Sequence, residues 1–300
     1  MDVLNSALSK ATISSYQHHW NALLQFHFVY KFPLLMPVPQ HIVAMFLVYL
    51  KNRGLKASTI RTYLTAISFV HKIKQLQDPT TGFLINKTMQ GISNLDKLSP
   101  NPSRKPITKE LLHRMIDAVP FTQNNQYSII LVRALFLLSY HACMRAGEAV
   151  KSTHDQHTLL LQDVQKVVHE GHPAYQIAFT SYKHSKGGSS FILTAARQLN
   201  YCPVKALGDY LLLRGSTPGK LFVNISGQPL DRQYFNNAIN MALLHLGMPA
   251  WEYNTHSFRI GRATQLALEN APDNTIRSVG RWHSNAYRIY IKPQAMPLPN

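Results

Sequence analysis

The sequence predicts a mainly α-helical protein with one small β-sheet, an α+β chain in two domains. Three observations carry that expectation. Apolar residues recur at helical spacing through the first ninety-odd residues. A stretch with three prolines, Leu98-Ser99-Pro100-Asn101-Pro102-Ser103-Arg104-Lys105-Pro106, then interrupts them, and such a run cannot continue a helix. Beyond it, alternation over 174–180 and 189–193 marks a β-hairpin set among further helices. The expected layout is a helical domain over 1–97, a linker over 98–107 and a second domain over 108–300.

In chain order, a helix over 12–28 gathers Tyr16, Trp20, Leu23, Leu24 and Phe28 on one side. A second, over 42–50, is opened by Pro37-Val38-Pro39 and closed at Gly54. Ser58 reads as the N-cap of a third, which buries Ile60, Tyr63, Leu64, Ile67 and Val70. A short fourth spans 85–95. After the linker, Thr108 ahead of Leu111 and Leu112 suits a capped helix start. The helix over 127–141 is apolar on most faces, so it should be central. The hairpin strands are joined by Tyr182-Lys183-His184-Ser185-Lys186-Gly187-Gly188, a turn with no phosphate-loop spacing after its glycines. Further helices are expected over 203–213, 232–246, 257–269 and 274–279. No internal repeat is found. The ten residues after Tyr290 include Pro293, Pro297 and Pro299, so no long closing helix is expected.

Composition narrows the partners. A hydrophobic fraction of 45% supports real cores. The formal charge of +17 favours an anionic partner, nucleic acid ahead of a membrane surface. In the first domain Lys51, Arg53, Lys56, Arg61, Lys72 and Lys74 cluster, while no acidic residue occurs between Asp2 and Asp78. That asymmetry points to a phosphate-facing surface. Arg104 and Lys105 in the linker suggest the same use. Cys143 and Cys202 make no disulfide framework, which fits a reducing compartment. The N-terminus lacks the pattern of a signal peptide, and the apolar runs at 42–50 and 129–138 are too short for a bilayer. A soluble chain with no membrane partner is expected.

The residues suited to chemistry lie mostly near the C-terminus. They are His256-Ser257-Phe258-Arg259, then Gly280-Arg281-Trp282-His283-Ser284, then Tyr287 and Tyr290, with Arg145 far upstream. Two arginines can grip phosphate oxygens through charge-assisted, bidentate hydrogen bonds. Histidine moves protons, and the indole N–H can only donate. A phenol, with a free pKa of about 10, is a poor nucleophile until cations surround it. The arginines supply the electrostatic work, so no cofactor and no metal is expected. Arg145 precedes Glu148 by three residues, which reads either as a plain ion pair or as a phosphate clamp that the glutamate orients. His256 and Arg259 stand three apart and share a helix face. The pairs His154-x-x-His157 and His169-x-x-His172 have metal-like spacing but no third ligand stands out.

Together these residues resemble the tyrosine recombinase, or phage integrase, family over nearly the whole chain. The family order is Arg, Lys, His-x-x-Arg, His or Trp, and Tyr. Here it reads Arg145 within Met144-Arg145-Ala146-Gly147-Glu148, Lys183, His256-x-x-Arg259, Trp282 and Tyr290. The run Gly-Arg-Trp-His-Ser-Asn-Ala-Tyr-Arg-Ile-Tyr-Ile is most similar to recombinases of eukaryotic mobile elements of the Crypton, Ngaro and DIRS-like type. The resemblance implies a helical, SAM-like core-binding domain and a catalytic domain that clamp duplex DNA. Tyr290 would attack a phosphodiester to give a 3′-phosphotyrosyl intermediate, so no ATP is needed. Lys183 would be the general acid, with Lys186 as its competitor. Trp282 competes with His283 for the second donor position, and Tyr290 with Tyr287 for the nucleophile. A homo-tetramer on two DNA sites is implied, with monomer or dimer off DNA. The compartment would be the nucleus in a eukaryote and the cytoplasm otherwise. Two rivals stand beside this reading: a domesticated, catalytically silent DNA-binding protein, and a type IB topoisomerase-like enzyme.

Overall fold

A computed structural model describes residues 7–98, 104–151, 157–180, 188–195 and 199–293. Contacts divide the chain into two units, residues 1–101 and 102–300, each with its own core.

Among the described residues the first unit has four helices. α1 (Lys10–Val29) starts where the Ser9 hydroxyl accepts the Thr12 N–H at 3.2 Å. α2 (Gln40–Asn52) follows Pro39, and α3 (Ala57–Ile73) and α4 (Phe83–Leu98) complete the set. Leu23, Phe26, Val43, Phe46, Leu47, Ile60, Ile67 and Met89 form its core. Phe28, expected on the buried side of α1, is exposed instead, because the buried stripe runs through Leu23 and Phe26. Ser58 does not cap α3. The helix begins at Ala57, whose N–H donates to the Asp96 carboxylate of α4 at 2.6 Å. A distant carboxylate does here what a local hydroxyl was expected to do.

The second unit is built around α6 (Gln126–His141), preceded by α5 (Lys109–Thr122). Thr108 caps α5 through the Leu111 N–H, and Asn125 caps α6 through the Ser128 N–H. Leu131, Val132, Leu135, Phe136 and Leu137 of α6 are fully buried, as its all-round apolar sequence requires. The four-residue α7 (Ala146–Ala149) follows.

Among the described residues the sheet has three strands, β1 (Val164–His169), β2 (His172–Phe179) and β3 (Ser189–Leu193), in the order β1-β2-β3 and antiparallel throughout. The β2–β3 pairing, Tyr175 opposite Leu193 through Phe179 opposite Ser189, is the expected hairpin. β1 was not expected. It joins β2 through Glu170 and Gly171, both at positive φ (50° and 78°), which is the two-residue turn that matches strand twist. His169 and His172 are partners across that turn.

Helices α8 (Pro203–Arg214), α9 (Arg232–His245), α10 (His256–Leu268) and α11 (Asp273–Gly280) follow, then a 3₁₀ segment, Asn285–Tyr290. The segment ahead of α5 is pinned to the second unit. Lys105 and Ile107 donate their N–H groups to the carbonyls of Glu252 and Ser257, both at 3.0 Å. Gly261 lets that segment cross α10 closely, since a Cβ there would lie 1.8 Å from the Ile107 carbonyl oxygen. Among the described residues no helix is long and apolar enough to cross a membrane.

Candidate active site

Three separate segments of the second unit deliver the chemistry-bearing residues. Arg145 stands at the start of α7, just past the end of α6. Its backbone N–H and its guanidinium both donate to Glu148, at 2.9 and 2.8 Å, and its second terminal nitrogen donates to the Arg281 carbonyl at 3.2 Å. The Arg145 side chain keeps 23% exposure while that of Glu148 keeps 1%. Burial alone would raise the Glu148 pKa, but Arg281, Arg145 and the Arg145 N–H outweigh it and hold the carboxyl below its ordinary value.

α10 carries His256 in its first turn and Arg259 one turn on. The Asn254 side chain accepts the His256 N–H and the Ser257 hydroxyl accepts the Asn254 N–H, so the helix start is fixed. Arg259 is fully buried. Its terminal nitrogens donate to the carbonyls of Cys143, at 2.6 Å, and Gly280. Its Nε–H is buried with no acceptor among the described residues. Such an unmet donor costs about 1–3 kcal/mol, which an incoming anion can recover. Burial first, then repulsion from Arg145 and Arg281, lowers its pKa to about 10, so it remains a cation at neutral pH. His256 is pushed down to about 4, by burial first and then by Arg259, Arg145 and Arg232. Its imidazole is therefore neutral and able to accept a proton.

The last segment brings the aromatic groups. Trp282 lies over the Arg259 guanidinium at 3.9 Å, and Tyr290 lies at 5.6 Å from the same group. The Tyr290 ring is 5.0 Å from the His256 ring and 5.2 Å from that of Trp282. Gly280 is required beneath this stack, because a Cβ there would meet the Trp282 ring at 1.7 Å. Thr264 of α10 fastens the segment. Its hydroxyl donates to the Tyr290 carbonyl at 3.2 Å and accepts the Lys292 N–H at 3.0 Å.

The rival candidates are placed differently. Tyr287 is 1% exposed and packs with Leu266 and Ile276, its ring 6.2 Å from that of Trp282, whereas Tyr290 is half-buried and its ring is 5.0 Å from that of His256. His283 is exposed, next to the half-buried Trp282. Lys183 and Lys186 lie outside the described residues. The expected DNA-contact residues divide into two groups. Arg53, Lys56, Arg61 and Lys72 are exposed on the first unit. Lys51 is partly buried and pairs with Asp96 at 2.5 Å. Arg104 donates to the Trp251 carbonyl, and Lys105 pairs with Glu252 at 2.6 Å. Among the described residues no group of three potential ligands surrounds a metal position.

Sequence reasoning named Gly280 and Arg281 within the motif but gave them no role, and it passed over Thr264. The small volume demanded at Gly280, two residues before a tryptophan, was a signal in principle. Nothing local announced Thr264 or the buried role of Arg281.

The assembled pocket holds three arginines against one glutamate, with a neutral imidazole and a phenol at its mouth. That excess of positive charge suits a phosphodiester and the negative charge added when an oxygen attacks it. No protein-family model and no curated protein matches the chain by sequence. Solved structures do match. XerH site-specific recombinase bound to palindromic difH substrate is 20% identical, with a TM-score of 0.64 over 90% of this chain and 73% of that one. A lambda integrase dimer bound to a core site is 12% identical, TM-score 0.64, over 100% and 77%. The Tn1549 transposon integrase in complex with transposon right end DNA is 13% identical, TM-score 0.61, over 98% and 91%. At these identities the likeness is one of architecture, and the chain has the fold of the tyrosine recombinases and integrases.

Proposed function

We propose that this protein is a DNA strand transferase of the tyrosine type, a site-specific recombinase or integrase. The observation that carries the reading is the convergence of Tyr290, His256, Arg259, Trp282 and Arg145 on one positive pocket within this fold. Fold alone does not assign function; the site does. The Tyr290 oxygen bonds to the scissile phosphorus and its proton passes to the neutral His256. The bond from phosphorus to the 5′-oxygen breaks, and that oxygen takes a proton from a lysine, Lys183 ahead of Lys186. Arg145 and Arg259 neutralise the non-bridging oxygens, and Trp282 donates to one of them. A 5′-hydroxyl of another strand reverses the sequence and releases Tyr290. The energy of the broken bond is kept in the phosphotyrosine, so no nucleotide or metal is consumed.

The substrate in this reading is duplex DNA, held by the exposed Arg53, Lys56, Arg61 and Lys72 and by the second unit. Exchange between two sites takes four protomers, as in the lambda integrase tetramer bound to a Holliday junction. The Gly-Arg-Trp wording supports an origin in a mobile element of the Crypton, Ngaro or DIRS-like type. The protein then acts where the host keeps its DNA, in the nucleus of a eukaryote or the cytoplasm of a prokaryote.

The test is covalent capture on a nicked suicide duplex carrying a randomised sequence window. Wild type should yield an adduct that survives denaturation, and sequencing the captured DNA gives the preferred site. Tyr290→Phe should yield none, while Tyr287→Phe should retain it. An adduct with Tyr290→Phe would reassign the nucleophile. No adduct with wild type, despite tight DNA binding, would favour a silent DNA-binding protein.

A further inference from the structure

We propose that Arg281 is a positioning residue that never touches DNA and that holds Arg145 in register with the segment bearing Trp282 and Tyr290. The proposal rests on the strand-transferase reading and adds a residue to it.

Arg281 directly follows Gly280, with a backbone at φ 54° and ψ 50°. That left-handed conformation is uncommon for a residue with a side chain; here it closes α11, with the Arg281 and Trp282 N–H groups donating to the carbonyls of Ser278 and Arg277 at 3.0 and 2.9 Å. The side chain ties that helix end to the rest of the site. It is 3% exposed, and its two terminal nitrogens are spent inside the protein, while its Nε–H is buried with no acceptor among the described residues. One terminal nitrogen serves the carbonyls of Ala142 and Val279, at 3.0 and 3.1 Å. The other serves the Cys143 carbonyl at 3.4 Å and Glu148 Oε2 at 2.6 Å. The guanidinium also lies 3.8 Å over the ring of Phe179, the last residue of β2.

These contacts close a ring. Arg281 binds Glu148, Glu148 binds the side chain and backbone of Arg145, and Arg145 donates back to the Arg281 carbonyl. The end of α6, α7, β2 and the start of the tyrosine-bearing segment therefore share one guanidinium. Only a planar fork can serve four oxygens in these directions; a lysine ammonium is a point charge with three donors. Arg145 differs, since its side chain keeps 23% exposure. Gripping the phosphate falls to Arg145 and Arg259, and placing Arg145 falls to Arg281. Without Arg281 the buried Glu148 is left facing Arg145 alone, and Arg145 loses its fixed orientation.

The test compares wild type, Arg281→Lys, Arg281→Met, Glu148→Gln and the Arg281→Met/Glu148→Gln double variant. Three quantities are measured: thermal unfolding, affinity for a mixed-sequence duplex, and single-turnover adduct formation on the site recovered by covalent capture. The Arg281 variants should keep wild-type duplex affinity, because the side chain meets no DNA. Their adduct rate at saturating DNA should fall by about 100-fold, the scale of a misplaced catalytic group. Glu148→Gln should lose a similar factor, and the double variant should lose no more than the worse single. Losses that multiply in the double variant would show that the two residues act independently. A drop in duplex affinity larger than that of Arg145→Ala, measured alongside, would show that Arg281 contacts DNA. Either result overturns the proposal. Should Arg281→Met fail to fold, Arg281→Lys keeps the comparison, and wild-type rates from a folded Arg281→Lys would overturn it too. If wild type itself forms no adduct, the strand-transferase reading fails first, and the role assigned to Arg281 is withdrawn with it.

Discussion

His256 shows how strongly its neighbours set the chemistry of one residue. An imidazole of ordinary pKa, about 6.5, would be half charged just below neutrality. Burial and three arginines lower it to about 4, so the free protein presents a neutral base beside Tyr290. Single-turnover rates at subsaturating DNA report the free enzyme, so that rate should stay level from about pH 7.5 down to about pH 5.5. An acid limb centred near the ordinary histidine value would show that His256 is not held among these cations. The same shift acts on stability. The folded pKa is depressed, so as pH falls below about 6.5 the unfolded chain binds the proton first, and stability drops progressively toward pH 4. Urea midpoints at pH 7 and pH 5 should therefore differ less for His256→Asn than for wild type. These chemical groups were legible in the sequence because each is uncommon in its role and the order was complete. Arg281 was not. An arginine beside a tryptophan reads equally well as a DNA contact or as a buried tie, and residues 142, 143, 148 and 179 decide between them.

At the scale of elements, α10 is the frame of the site. It presents His256 and Arg259 from its first turns and anchors the Tyr290 segment through Thr264. Its own position depends on the crossing at Gly261, where the Ile107 carbonyl occupies the space of a side chain. Gly261→Ala sets a methyl carbon against backbone that cannot swing aside, an overpacking that costs about 1–3 kcal/mol. For a unit of this size each kcal/mol lowers Tm by about 2–4 °C. Thermal unfolding should show a loss of several degrees, and an unchanged Tm would mean that the segment and the helix part easily. The sequence pattern located most elements to within a few residues, α1 through α4 and the β2–β3 hairpin among them, because their apolar periodicity is set by the core they bury. It missed β1, since Val-Gln-Lys-Val-Val-His alternates poorly and its burial is shallow. The Glu170-Gly171 turn was the better clue. It also misplaced the start of α3, because the cap comes from Asp96, thirty-nine positions away in the chain.

Across the whole molecule, charge decides how DNA would be met on the strand-transferase reading. The first unit contains no glutamate, and both of its described aspartates are spent internally. Asp96 pairs with Lys51 and caps α3. Asp78 would have its pKa raised by burial, but bonds from Ser68, Thr80 and Lys72 lower it to about 2. No acidic side chain of the described first unit is therefore left to oppose Arg53, Lys56 and Arg61, which stay exposed. A surface of that kind binds by neutralising phosphates and releasing counterions, and it reads few bases. With about 6–10 phosphates engaged, affinity for a mixed-sequence duplex should fall by on the order of 10³–10⁵ between about 50 and 200 mM salt. In the full-length chain, replacing Lys56 and Arg61 together by alanine should flatten the slope of log K against log salt by about two. The loss should be the same on every DNA sequence, since phosphates carry no code. Two other results would count against this picture. An unchanged slope would remove these residues from the interface, and a loss confined to one preferred sequence would make them base readers.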